Sequence, residues 1–97
     1  MPQASDLLSV IIPVFGQEKT IIENLERIKQ TLDSTSYKYE IICVIDGRVD
    51  NSYQVIKRAS LPKLKTISYR KNQGKFWAIR LGLNAAAGSL VMFSDSG

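Results

Sequence analysis

Tyr39-Glu40-Ile41-Ile42-Cys43-Val44-Ile45, running directly into Asp46-Gly47, decides the architecture of this chain. Its middle is apolar at every position, without alternation. That is the pattern of a strand covered on both faces, as in a parallel sheet between helices. Gly47 then lets the backbone turn sharply. Upstream, Leu7-Leu8-Ser9-Val10-Ile11-Ile12-Pro13-Val14 is a second such run, β-branched in its middle and stopped by proline. Between the two, Thr20 and Glu23 have the spacing of a capping box. Ile21, Ile22, Leu25, Ile28 and Leu32 follow at helical spacing, with Glu23, Glu26, Arg27 and Lys29 on the other face, which predicts an amphipathic helix ending near Asp33-Ser34. Downstream, Asn51 or Ser52 caps a short helix to about Ala59, and Leu61-Pro62 breaks it. Leu64–Tyr69 reads as a more exposed strand and Arg70-Lys71-Asn72-Gln73-Gly74 as a loop. Lys75–Ala87 carries Phe76, Ile79, Leu83 and Ala86 on one stripe, a third helix closed by Gly88. Trp77 is expected in the core or between helices. Leu90-Val91-Met92-Phe93 is a fourth strand, leading to Ser94-Asp95-Ser96-Gly97.

The order β-α-β-α-β-α-β calls for a mostly parallel sheet with right-handed crossovers and helices on both faces, a three-layer α/β/α Rossmann-like fold. A length of 97 residues suits one domain, 1–97, with one thin core. Hydrophobic content of 44% and charged content of 23% fit an ordinary globular protein. No stretch supplies the ~20 apolar residues of a membrane span. Met1-Pro2-Gln3-Ala4-Ser5-Asp6 lacks the basic start of a secretory signal. The single cysteine, Cys43, lies between Ile42 and Val44, so a buried, inert thiol in a reducing cytoplasm is expected. Histidine is absent, which excludes Ser-His-Asp, Cys-His and His-metal chemistry within these residues.

Charge divides unevenly along the chain. Residues 1–50 hold five Lys/Arg and eight Asp/Glu, whereas residues 51–97 hold eight Lys/Arg and one acid, Asp95. The basic half suggests a phosphate-bearing partner: a nucleotide, a nucleic acid or an anionic membrane. The plainer alternative is a solvated basic face, or one that a further acidic segment covers.

In such a fold ligands bind at the carboxyl ends of the strands. Pro13-Val14-Phe15-Gly16-Gln17-Glu18 has neither the three glycines of a dinucleotide fingerprint nor the Gly-Lys-Ser/Thr of a phosphate loop. Phe15 can cover a flat base, or pack on its own helix. Asp46 can accept hydrogen bonds from a base imide or a ribose hydroxyl, or hold a turn. Arg70 and Lys75, with free amides at a helix N-terminus, make an anion site or a flexible basic loop. Asp95 is placed to face a divalent metal on a diphosphate, or to cap a turn.

Taken together, these strand ends resemble glycosyltransferase family 2, the inverting nucleotide-sugar enzymes of the GT-A fold. The family opens with a strand ending Pro-Thr/Val-Tyr/Phe-Asn-x-Glu, here Pro13-Val14-Phe15-Gly16-Gln17-Glu18. Its second strand ends Val-Asp-Asp-Gly-Ser-x-Asp, here Val44-Ile45-Asp46-Gly47-Arg48-Val49-Asp50. Its Asn-x-Gly-x-x-x-Ala-x-x-x-Gly helix start corresponds to Asn72-Gln73-Gly74 through Ala78 and Gly82. Its Asp-x-Asp strand end corresponds to Asp95-Ser96-Gly97, where glycine stands in place of the second aspartate. Asn after the aromatic has become Gly16.

The resemblance implies that residues 1–97 are the N-terminal, donor-binding half of a glycosyltransferase domain, truncated after the fourth strand. A sugar would pass with inversion from a nucleoside diphosphate sugar, UDP favoured, to a glycan hydroxyl or a polyprenyl phosphate. Pro13, Val14, Phe15, Glu18, Asp46, Arg70, Gly74, Lys75 and Asp95 would hold the donor nucleotide. Asp95 would also hold a divalent metal, Mg or Mn, although Gly97 weakens that assignment. The catalytic base would lie beyond Gly97, so the isolated chain is expected to be inactive. The implied setting is cell-wall or polysaccharide synthesis in the cytoplasm or at the inner face of its membrane. No nucleic acid is expected as a partner, and a homodimer through strand 90–93 is. Two alternatives stand beside this: a basic α/β module that binds nucleic acid or another polyanion, and an inactive family member.

Overall fold

The computed structural model describes residues 6–95. Its elements are β1 (Leu7–Val14), α1 (Ile21–Asp33), β2 (Lys38–Asp46), α2 (Ser52–Ala59), β3 (Leu64–Tyr69), α3 (Lys75–Ala85) and β4 (Leu90–Phe93). The four strands form one sheet in the order β3-β2-β1-β4, and every pairing is parallel. The expected α/β fold with a parallel sheet is therefore present.

The chain steps from β1 to β2 to β3 in one direction, then returns past both central strands to β4. Right-handed crossovers then place α1 and α2 on one face and α3 on the other. The packing agrees. Val10, Ile12, Val14, Ile41, Cys43 and Ile45 bury against Ile21, Leu25 and Leu32 of α1 and Ile56 of α2. Ile11, Ile42 and Val44 bury against Ala78 of α3. This explains why β1 and β2 are apolar without alternation: each of their faces meets a helix.

Three local expectations fail, each for a physical reason. Thr20 makes no side-chain cap on α1; its backbone is already helical, with φ −119° and ψ −14°, whereas a capping residue needs extended backbone. The stripe expected to bury α3 splits: Ile79 and Ala86 are half-buried, but its largest members turn outward. Phe76 is 87% exposed, and Leu83 and Trp77 are also exposed, with Arg80 stacked 5.9 Å from the Trp77 ring. The buried face is instead Ala78 and Gly82. A Cβ on Gly82 would lie 2.5 Å from Ile11 Cγ2, so the small residues let this helix sit directly on the sheet. Finally, α3 ends at Ala85 rather than Ala87, and Ala86 is extended.

A second unforeseen feature is a polar knot at the end of the sheet where β1 and β2 begin. Glu40 is buried, and its Oε2 accepts hydrogen bonds from Ser9 Oγ at 2.6 Å and the Ala87 amide at 2.7 Å. Lys65 Nζ lies 2.7 Å from Oε1. Ser9 Oγ in turn accepts the Gly88 amide at 2.9 Å. The knot pins the α3–β4 connection and so sets where β4 enters the sheet.

Candidate functional site

The chain reverses its direction across the sheet between β1 and β4, and α/β folds bind ligands at the carboxyl ends of such a pair. A cleft of about 440 Å³ opens there. The end of β1 supplies Pro13, Val14, Phe15 and Gln17, and β2 supplies Asp46. Asn72 comes from the β3–α3 loop, Lys75 from the first turn of α3 and Asp95 from the segment after β4.

Asp46 is the most constrained of these. It is 6% exposed. Its Oδ1 accepts the Tyr69 hydroxyl at 2.6 Å and the Gln73 amide at 2.7 Å. The Gly74 amide reaches Oδ1 at 3.2 Å and Oδ2 at 3.0 Å. A carboxylate at the start of α3 is favoured by the helix dipole as well as by these donors. The two amides just ahead of the helix, those of Gln73 and Gly74, therefore serve Asp46. The first-turn amides of Lys75, Phe76 and Trp77 remain without intrahelical acceptors, because the helical ladder begins with Ala78 donating to the Gly74 carbonyl. Burial pushes the Tyr69 phenol up, and the Asp46 carboxylate that it faces pushes it further.

The loop after β1 is tied to the loop after β2. Gly16 takes φ +61°, the left-handed region that favours glycine. The Gln17 amide donates to Ser52 Oγ at 3.0 Å, and the Glu18 amide to Asp50 Oδ2 at 3.2 Å. Asp50 Oδ1 accepts the Ser52 amide at 2.9 Å and the Ser52 hydroxyl at 2.6 Å. Partial burial pulls the Asp50 carboxyl upward, but these donors outweigh it and hold it below the usual carboxylate range. The start of α2 is thus capped by Asp50, not by Asn51 or Ser52.

Phe15 is half exposed at the cleft. Lys75 and Asp95 face each other with Nζ 3.5 Å from Oδ1, both well exposed. Among the described residues no group of three metal-ligating side chains converges. Asp95 nevertheless offers a hard oxygen donor to the cleft, and Mg-type sites use one or two carboxylates completed by substrate phosphates. The second position of the family's metal motif, Gly97, lies outside the described residues.

Of the residues singled out from sequence, Pro13, Val14, Phe15, Asp46, Lys75 and Asp95 meet in the cleft. Gly74 contributes its amide to Asp46. Two others lie elsewhere. Glu18 lines a separate hollow of about 260 Å³ with Lys19, Thr20 and Asp50, because the Asp50 tie turns its backbone away from the cleft. Arg70 is exposed outside the cleft, its carbonyl accepting the Arg48 amide at 3.0 Å. Gln17, Asn72 and Tyr69 were not singled out. Asn72 had a signal in Asn72-x-Gly74; Tyr69 had only its place at the end of a strand beside Asp46.

Comparison with known proteins agrees with this fold. The chain is 34% identical over 93 residues to the undecaprenyl-phosphate 4-deoxy-4-formamido-L-arabinose transferase of Aeromonas hydrophila, covering 93% of this chain and 28% of that protein. It superposes on the mannosyltransferase PcManGT of Pyrobaculum calidifontis, solved with GDP-Man and Mn2+, with a TM-score of 0.81 at 23% identity over 95% of this chain and 28% of that one. Glucosyl-3-phosphoglycerate synthase of Mycobacterium tuberculosis, solved with Mn2+, UDP and glucosyl-3-phosphoglycerate, gives a TM-score of 0.72 at 24% identity, over 96% of this chain and 34% of that one. The chain thus spans about 28% of the length of the curated relatives it matches. Residues 9–96 match the family described as Glycosyl transferase family 2, and the chain belongs to that family.

Proposed function

We propose that this chain forms the donor-nucleotide half of an inverting glycosyltransferase that uses a nucleoside diphosphate sugar. The observation that carries this reading is the cleft itself. It holds an exposed aromatic, an acceptor-only carboxylate, a cation and a second carboxylate in one place. Phe15 covers the base, and Asp46 accepts an N–H from its edge. Lys75 leaves Asp95 to neutralise the diphosphate, aided by the first-turn amides of α3. Asp95 is the residue that would hold a divalent cation, Mg or Mn, with diphosphate oxygens completing the shell. When bound, such a cation supplies Lewis-acid stabilisation of the leaving diphosphate. The Mn2+ in both compared structures supports this assignment.

Uracil carries an imide N3–H and guanine a lactam N1–H, and the two compared structures hold UDP and GDP-Man. That supports a base with a ring N–H donor here, with UDP preferred. The Aeromonas relative is named for undecaprenyl phosphate, which supports a polyprenyl phosphate acceptor at the inner face of a membrane. No helix among the described residues is long and apolar enough to cross a membrane. The general base is a residue other than those of the cleft, since Asp46 is engaged by three donors and Asp95 is assigned to the metal.

Calorimetry on the chain with UDP, with and without Mn2+, tests the reading. UDP should bind more tightly with Mn2+. Asp95→Ala should remove that gain while leaving metal-free binding intact or stronger, since Lys75 loses a competing partner. UDP binding that ignores both Mn2+ and Asp95 would refute the metal assignment, and no nucleotide binding at all would refute the cleft.

A further inference from the structure

We propose that Tyr69 is a positioning residue that sets base selectivity in this cleft by fixing the Asp46 carboxylate. The proposal rests on the reading of the cleft as a nucleotide site. Tyr69 and Asp46 are direct register partners on neighbouring strands β3 and β2. Both side chains lie on the α3 face, where Tyr69 packs against the cluster of Ile42, Val44 and Ala78. The phenol thus has a supported ring and one short hydrogen bond, 2.6 Å to Asp46 Oδ1.

An ionised carboxylate offers about four acceptor sites and no donor. Oδ1 takes Tyr69 and Gln73 at 2.6 and 2.7 Å, and the longer branch of the Gly74 bond as well. Oδ2 takes Gly74 alone, at 3.0 Å. The acceptor capacity left to a ligand is therefore on Oδ2, and it asks for a donor. Uracil answers with N3–H. Cytosine places a lone pair at the same ring position, facing a carboxylate that cannot donate. The Gln73 and Gly74 amides hold the carboxylate from the loop, and Tyr69, the one side-chain donor among the three, holds it from the neighbouring strand. Both oxygens accept and neither donates, so loss of the hydroxyl makes no site for cytosine; it loosens the orientation of Oδ2 and weakens the bond to uracil N3–H alone. Selection then weakens although every cleft residue is still present.

Tyr69→Phe keeps the ring and its packing. Titration of the full chain with UDP, CDP and pyrophosphate separates base from phosphate effects. Wild type should favour UDP over CDP. Tyr69→Phe should lose about tenfold in UDP affinity, the effect of one hydrogen bond to a charged group. It should bring UDP and CDP close together and leave pyrophosphate binding unchanged. A folded Tyr69→Phe that keeps the wild-type UDP-to-CDP ratio overturns the proposal, as does equal loss of UDP, CDP and pyrophosphate. If the variant does not fold, the ring carbon resonances of Tyr69 in the wild type decide. UDP should shift them and CDP should not; no shift with bound UDP overturns the role. Wild type that binds UDP and CDP equally refutes the role of Tyr69 alone, whereas wild type that binds no nucleotide refutes the cleft as well.

Discussion

Gly47 and Asn72 are pressed so closely together that a Cβ on Gly47 would lie 2.8 Å from both the Cβ and the amide nitrogen of Asn72. The loop after β2 and the loop after β3 meet at this point, one residue from Asp46. Gly47 also takes φ +87°, which side chains rarely adopt. Two requirements therefore fall on one residue. Gly47→Ala should cost about 1–3 kcal/mol of stability, in the range of strained backbone and overpacking. It should also push Asn72 from the cleft and weaken UDP binding. Urea denaturation and calorimetry would check both; a variant of wild-type stability would show that the loops part easily.

Lys75 separates phosphate from nucleoside recognition. It lies at the first position of α3, where unpaired amides already favour an anion. Its ion pair with Asp95 is exposed and worth little. Lys75→Ala should therefore leave stability nearly unchanged. UDP affinity should fall several-fold more than uridine affinity, and the difference should shrink at high salt. Equal losses for UDP and uridine would remove Lys75 from diphosphate binding.

The architecture was legible in the sequence because β1 and β2 meet helices on both faces, which writes an unbroken apolar run into each. The α3 face was not. Periodicity points to the largest apolar residues, Phe76 and Leu83, whereas the sheet selected the smallest, Ala78 and Gly82. No rule of spacing along one helix reports how closely that helix approaches Ile11. At the site, Phe15, Asp46, Lys75 and Asp95 could be read from their positions at strand ends. The partners of Asp46 could not, since Tyr69, Gln73 and Gly74 lie 23 to 28 residues away and reach it through the pairing of β3 with β2 and the loop that follows β3. That Glu18 and Arg70 lie outside the cleft could not be read either, because loop direction depends on contacts such as Glu18 with Asp50.

Glu40 should govern the acid limb of stability. Burial raises its carboxyl pKa, but Lys65, Ser9 and the Ala87 amide outweigh burial and hold it below the usual value. A depressed folded pKa means that the contribution is complete above the unfolded value of about 4.3 and is lost as pH falls through the folded pKa. Glu40→Gln keeps an acceptor but loses the charge. It should destabilise at neutral pH by about 1–3 kcal/mol. It should also flatten the fall in stability on acidification below about pH 4. Denaturation midpoints between neutral and acid pH would check this; parallel curves for wild type and variant would assign the acid transition to other carboxylates.

The last prediction concerns β4. This strand pairs with β1 alone, so among the described residues its other edge has no partner. Val91, Met92 and Phe93 are each 40–50% exposed. The strand carries no charge, proline or bulge, the usual devices against edge-to-edge pairing. Its neighbour across the sheet, β1, is buried along most of its length and pairs with all four β4 residues. An ordered, apolar edge is a template for a second copy. The 97-residue chain should therefore associate as its concentration rises, through β4 against β4. Val91→Lys puts a charge on the strand without altering its pairing to β1, and should shift the chain toward monomer. Light scattering across a concentration series would measure both proteins. Hydrogen exchange should show the β4 amides that point away from β1 protected only where the wild type associates. A wild type that stays monomeric at millimolar concentration would refute the template. Association untouched by Val91→Lys would move the contact elsewhere, with the exposed Phe76–Trp77 face of α3 the next surface to test.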